Sequence, residues 1–203
     1  MRIAPPIHER GRDALLFFVG ANASVTTQRE GKGVLVSVAD HHETDDYGVP
    51  TITRLEEAQV VNYYANTFSV MLRAEQTAGK FFMTRSQHFK PTDSPPFHRH
   101  TLDDELWMIH GGQFRFWIGG TSLDTATVHD VGPGAVVYGP RFVPHTFQVL
   151  GDEGDVSVLW TPSVGQSYYL HVPKTEKRED FSHPEGFASM GVEILDRAPV
   201  NGE

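Results

Sequence analysis

The chain has 203 residues, 39% of them apolar, which is enough for a buried core in one large domain or one domain with extensions. A formal charge of −9 argues against a nucleic-acid surface, which needs clustered Lys and Arg, and only Lys174 to Arg178 is locally basic. Cysteine is absent, which removes disulfides, thiolate metal sites and Cys nucleophiles together. The start Met1-Arg2-Ile3-Ala4-Pro5-Pro6 lacks the apolar stretch of a signal peptide, and no run approaches the length of a bilayer span, so a cytoplasmic location is the expectation.

In chain order, short runs rich in β-branched and aromatic residues predict strands at Leu15–Val19, Gly33–Val38, Thr67–Arg73 and Phe81–Phe89. After them come Glu105–His110, Gln113–Ile118, Thr127–Val131, Ala135–Tyr138, His145–Leu150 and Val156–Trp160. Gly111-Gly112, Gly119-Gly120, Gly132-Pro133-Gly134 and Gly151–Gly154 fall between these runs, where hairpin turns are expected. Arg54–Asn62 reads as a short helix. Val164–His171 reads as a helix under the barrel or one more strand, and the stretch from Lys174 onward as a short helical, extended or wrapping tail. The pattern predicts an all-β sandwich or barrel: one domain over 1–203, with 1–60 as strands added to the main sheets, 61–172 as the barrel and 173–203 as the tail.

The chemistry concentrates in Pro95-Pro96-Phe97-His98-Arg99-His100-Thr101-Leu102-Asp103-Asp104-Glu105, answered by Pro140-Arg141-Phe142-Val143-Pro144-His145. On a strand, His98 and His100 project from one face. Glu105 follows a polar turn, and a sheet that curls round brings His145 alongside. Three imidazoles and a carboxylate suit one divalent first-row ion, whether iron, copper, nickel, cobalt, manganese or zinc, and leave positions open for a substrate oxygen or dioxygen. Glu105 either ligates permanently or acts as a general base. Of the eleven histidines, His110 and His129 read as rim residues, and His41, His42 and His183 as solvated loop. His88 reads as a strand residue lining the barrel. Phe68, Phe82, Trp107, Phe114, Phe116, Phe147 and Trp160 read as inward-facing; most are core, and Phe82, Trp107, Phe116 and Phe147, with His88, are the expected substrate contacts.

These residues also carry a family resemblance. His98-x-His100-x4-Glu105-x6-Gly112 and Gly134-x5-Pro140-x4-His145 resemble the two motifs of the cupins. Within them, Asp93-Ser94-Pro95-Pro96, Asp104-Glu105-Leu106-Trp107 and Val143-Pro144-His145-Thr146-Phe147 most resemble single-domain quercetin 2,3-dioxygenase-like proteins. The resemblance spans about Asn66 to Tyr169, and it departs at Phe142, where the family usually has Gly, and at Val149, where it usually has Asn. It implies a jelly-roll β-barrel, a metal held by His98, His100, Glu105 and His145, and N-terminal strands pairing across a homodimer. The implied activity is cleavage of a flavonol or related enol or phenol with dioxygen, Glu105 taking the substrate proton. A metal-dependent isomerase, cyclase or lyase of a small aromatic or polyketide metabolite is the alternative, as is a binding module without turnover, because this fold hosts many activities.

Overall fold

In a computed structural model of the protein, residues 24–30, 33–39, 47–63, 66–171 and 184–202 are described. The predicted strand at Leu15–Val19, the loop histidines His41, His42 and His183, and the basic Lys174 to Arg178 patch lie outside them.

The fold is built on two long strands, β8 (Asp104–Ile118) and β11 (His145–Thr161), which pair antiparallel along both of their halves. The first half of β8 and the second half of β11 lie in a sheet ordered β10-β8-β11-β6-β5-β4, with β10 Val136–Gly139, β6 Phe82–Phe89, β5 Asn66–Leu72 and β4 Gln59–Tyr63. Their other halves carry β9 (Thr127–Val131) on β8 and β7 (Phe97–His100) on β11, with β12 (Val192–Asp196) on β7. Two shared strands thus serve two sheets, and the sheets close over one core.

The corner between the halves explains the glycines. Gly111-Gly112 and Gly151–Gly154, expected as hairpin turns, are instead bulges inside β8 and β11. The register there opposes Gly112 alone to Gly151–Gly154, which bends both strands together. Gly112 has φ +79, and a side chain at Gly154 would place its Cβ 2.5 Å from the Phe114 ring, so neither position accepts another residue without strain. The turns at Gly119-Gly120 and at Gly134 do lie between strands, all three glycines with positive φ.

The core between the sheets is aromatic. Phe82, Trp107, Phe114, Phe116 and Val149 are fully buried, joined by Phe68, Phe147 and Trp160. Side chains of this size each contribute about 1.5–3 kcal/mol on burial, so these rings supply much of the drive to close the barrel.

Two expectations give way to the structure. Arg54–Asn62 is not a helix: only a single 3-10 turn forms at Leu55–Glu57 before β4 begins, since Val60 and Val61 are β-branched and alternate in burial. The N-terminal strands do not extend the main sheet. β1 (Ser24–Glu30), β2 (Gly33–Ala39) and the two-residue β3 (Thr51–Ile52) form a separate three-stranded sheet. The C-terminal stretch folds back as α2 (Pro184–Ser189) and β12, and β12 pairs with the histidine-bearing strand β7. The segment after Pro162 takes the helical alternative as α1 (Gln166–His171). Among the described residues no helix is long and apolar enough to cross a membrane.

Candidate metal centre

The four predicted ligands come together. β7 projects His98 and His100 inward while Arg99 turns out to Glu193 at 2.6 Å. His145 opens β11 directly opposite His98 in register, and Glu105, the second residue of β8, stands opposite Trp160. All four are buried, and one ligand atom from each lies within 4.8 Å of all the others.

Each imidazole has a fixed outward partner. Nδ1 of His98 lies 2.7 Å from the Pro96 carbonyl, that of His145 lies 3.0 Å from the Val143 carbonyl, and that of His100 lies 2.7 Å from the Asp103 carboxylate. With Nδ1–H donating outward, every Nε2 turns its lone pair to one point, as metal-binding histidines require. The gaps around that point are 3.1 Å between Nε2 of His98 and His100, 3.0 Å from His100 Nε2 to Glu105 Oε2, and 3.2 Å from His145 Nε2 to Glu105 Oε2. Ligands at right angles on an ion with bonds of about 2.0–2.2 Å stand about 2.8–3.1 Å apart. Donor type, tautomer and spacing therefore fit a first-row divalent ion.

Electrostatics points the same way. His98 is pushed down to about 3 by burial and by the charge of His145 and His100, so it stands neutral. Burial opposes the charge on His100, but hydrogen bonds to Asp103 and Glu105 outweigh it and raise the group to about 10. Burial likewise opposes ionisation of Glu105, yet hydrogen bonds from His100 and His145 hold its carboxyl well below the ordinary carboxylate range. In the metal-free protein a proton on His100 holds the charge that a cation would supply.

The loop that delivers His145 is tied to the ligand strand. Phe142, exposed, has φ +66, a conformation suited to glycine, and its N–H donates to the His100 carbonyl at 2.7 Å. Arg141 clasps Asp104 through its side chain and its backbone N–H. Behind His145 stands Trp107, edge-on with ring centroids 5.0 Å apart.

The centre opens on a cavity of about 120 Å³ between the sheets. His98 and Glu105 stand at its metal end, and Phe68, Phe89, Phe147, Trp160 and Tyr169 supply aromatic wall. Of the expected substrate contacts, Phe147 lines this cavity. Phe82, Trp107 and Phe116 do not: each is fully buried, Phe82 stacked on Trp160, and Trp107 and Phe116 packed on Phe147 from behind. His88 is a correction of another kind. A bulge in β6, between Ser86 and Phe89, breaks the inward alternation of Phe82, Thr84 and Ser86. His88 therefore faces solvent, 74% exposed, beside Glu153. His110, half-way along β8, is exposed and 2.8 Å from Ser157, and His129 is exposed on β9.

Three further groups at the site escape a reading of the sequence. Asp103 looks there like turn polarity alone, although a carboxylate three residues after a ligand histidine is a signal. Val192 and Ile194 of β12, with Phe187 of α2, close one side of the cavity, and nothing in their sequence announces it. Thr84 and Ser86 are inward hydroxyls on an otherwise apolar face.

Residues 85–162 match the family model for the Cupin domain, and the antiparallel two-sheet barrel is of the cupin type. Solved structures of similar architecture include KdgF from Halomonas sp., at 13% identity and a TM-score of 0.46 over 55% of this chain and 94% of that one. An oxalate decarboxylase variant from Bacillus subtilis aligns at 15% identity and a TM-score of 0.45, over 73% of this chain and 42% of that one. Hydroxypropylphosphonic acid epoxidase from S. wedmorenis aligns at 14% identity and 0.41, over 55% and 58%. The chain thus spans about half the length of the latter two. A search of the curated proteins finds no match.

Proposed function

We propose that the protein is a metal-dependent dioxygenase that cleaves a flavonol or a related enol or phenol, with His98, His100, Glu105 and His145 holding one divalent ion. The observation that carries this reading is the buried cluster of three imidazoles and one carboxylate at the end of an aromatic-walled cavity. A bound transition metal supplies Lewis acidity and open positions for an oxygen ligand. The remaining work falls to the chain. Outward hydrogen bonds hold the three imidazoles in one tautomer, and Glu105 is the residue assigned to take the proton of an acidic hydroxyl at its carboxylate oxygen. Phe147 and its neighbours press on the flat faces of the substrate and keep water from the charged end.

The test is oxygen uptake by protein reconstituted with single metals and offered flavonols. Uptake that depends on metal, with a ring-cleaved product, is the expected result. Turnover of an enol without oxygen would instead make the protein a lyase or isomerase, with Glu105 in the same role. Binding without any turnover would leave a ligand-holding module.

A further inference from the structure

The inner face of β6 departs from the apolar rule. Its inward positions run Phe82, Thr84, Ser86 and then Phe89. Thr84 sits in register between Val70 and Val158, and Ser86 opposite Val156. Both residues are buried, at 3% and 5% exposure. A valine would fit the Thr84 position by shape, and an unpaired buried hydroxyl costs about 1–3 kcal/mol.

The Thr84 hydroxyl hydrogen-bonds to none of the described residues. The Ser86 oxygen lies 2.8 Å from Oδ1 of Asn66 and 3.1 Å from the Thr67 carbonyl. A hydroxyl has one proton and serves one acceptor at a time. The Asn66 carboxamide therefore keeps hydrogen-bonding capacity to spare. Asn66, Thr84 and Ser86 all line the same cavity as His98 and Glu105.

Register places this strip away from the metal end. Thr84 shares a rung with Val158 and Trp107, and Ser86 one with Val156 and Ile109. From Glu105 that is two strand spacings across and two or four residues along, or roughly 12 and 16 Å between Cα atoms. Among the described residues no Lys or Arg lines the cavity, so its remote end offers hydrogen bonds but no countercharge for an anion.

We propose that Asn66, Thr84 and Ser86 form a neutral hydrogen-bonding subsite for an uncharged oxygen, a hydroxyl or a ketone, at the end of the substrate remote from the metal. This rests on the reading of the metal centre as the anchor for the substrate's other end. It narrows the substrate class to rigid polycyclic phenols or enols oxygenated at both ends, and it sets aside carboxylates, phosphates and sugar nucleotides.

The test compares two probes on zinc-loaded protein, in which no redox turnover intervenes: unsubstituted flavonol, and kaempferol, the same skeleton with hydroxyls on both outer rings. Wild type is expected to bind kaempferol about tenfold more tightly, the return on one or two neutral hydrogen bonds. Thr84→Val with Ser86→Ala is expected to erase that preference while leaving flavonol affinity unchanged, and Thr84→Ser alone to keep it. Melting temperatures of the variants show that they fold. Equal binding of the two probes by wild type, or an equal loss of both in the double variant, overturns the subsite. Binding of neither probe by wild type overturns the planar-substrate reading and the subsite with it.

Discussion

Asp103 accepts a 2.7 Å hydrogen bond from Nδ1 of His100, with both side chains at 3% exposure or less. A carboxylate behind an imidazole raises its basicity and fixes its ring, so Asp103 is a positioning residue for the centre. Asp103→Asn is expected to lower affinity for the divalent ion by about 10- to 100-fold with the fold intact. Competition titration with a chelating dye reads the affinity, and circular dichroism reads the fold. Unchanged affinity would show that Asp103 serves the turn alone.

Glu105→Gln separates holding the metal from moving a proton. Three imidazoles still offer Nε2 lone pairs, whereas an amide cannot take a proton, and loss of a positioned base costs about 10²- to 10⁴-fold in rate. Metal content near wild type with turnover reduced by that factor is the expected outcome. Steady-state rates normalised to metal content check it, and near-wild-type turnover would make Glu105 a ligand only.

The electrostatics of the metal-free centre predicts proton release. His100 is raised to about 10 from 6.5, so its stabilising charge is fully present below pH 6.5 and is lost as pH rises through 10. His98, lowered to about 3, acts in the opposite sense: its contribution is intact above pH 6.5 and is lost as pH falls toward 3. Binding of a cation near neutral pH must therefore expel the His100 proton and no proton from His98. Calorimetry in buffers of different ionisation enthalpy should find about one proton released per ion, with affinity rising about tenfold per pH unit up to near 10. Affinity independent of pH would contradict this assignment of charge.

Phe142 holds φ +66 with its ring 61% exposed. Strain in this region costs about 1–2 kcal/mol, part of which glycine gives back through its freer unfolded chain. Phe142→Gly should raise stability by about 0.5–1 kcal/mol, read as a higher urea midpoint at constant slope. A lower midpoint would mean that the exposed ring makes a contact worth more than the strain.

The homodimer is a proposal that β1 makes concrete. Its one partner among the described strands is β2, and a strand edge that no described residue covers invites pairing with a second copy. Light scattering should give twice the chain mass at micromolar concentration, and deletion of residues 1 to 55 should abolish the dimer. A monomeric full-length chain would remove the proposal.

Much of the site is legible in the sequence because the ligands sit at spacings that a strand and its turn must obey. His98 and His100 share a face by pleat alone, and Gly112 and Gly134 take the positive φ that their positions suggest. What is not legible depends on long-range register. Whether Gly111-Gly112 is a turn or a corner is decided by the partner strand, which carries Gly151–Gly154 opposite it. The outward turn of His88 follows from one extra residue in β6 against β11, and that count is invisible in the local alternation. Phe82, Trp107 and Phe116 do point inward as their pattern suggests, but periodicity does not say which inward rings meet a cavity and which meet each other. The pairing of β12 with β7 joins positions about a hundred residues apart in sequence, and no local pattern encodes it.

The central claim is that His98, His100, Glu105 and His145 are a metal site. It is tested most directly by elemental analysis of the purified protein beside His98→Ala and His145→Ala, each confirmed as folded. About one divalent ion per wild-type chain, with the content lost or sharply reduced in both variants, is the predicted result. Wild-type protein that takes up no ion when offered each first-row metal, or variants that retain the full complement, would contradict it.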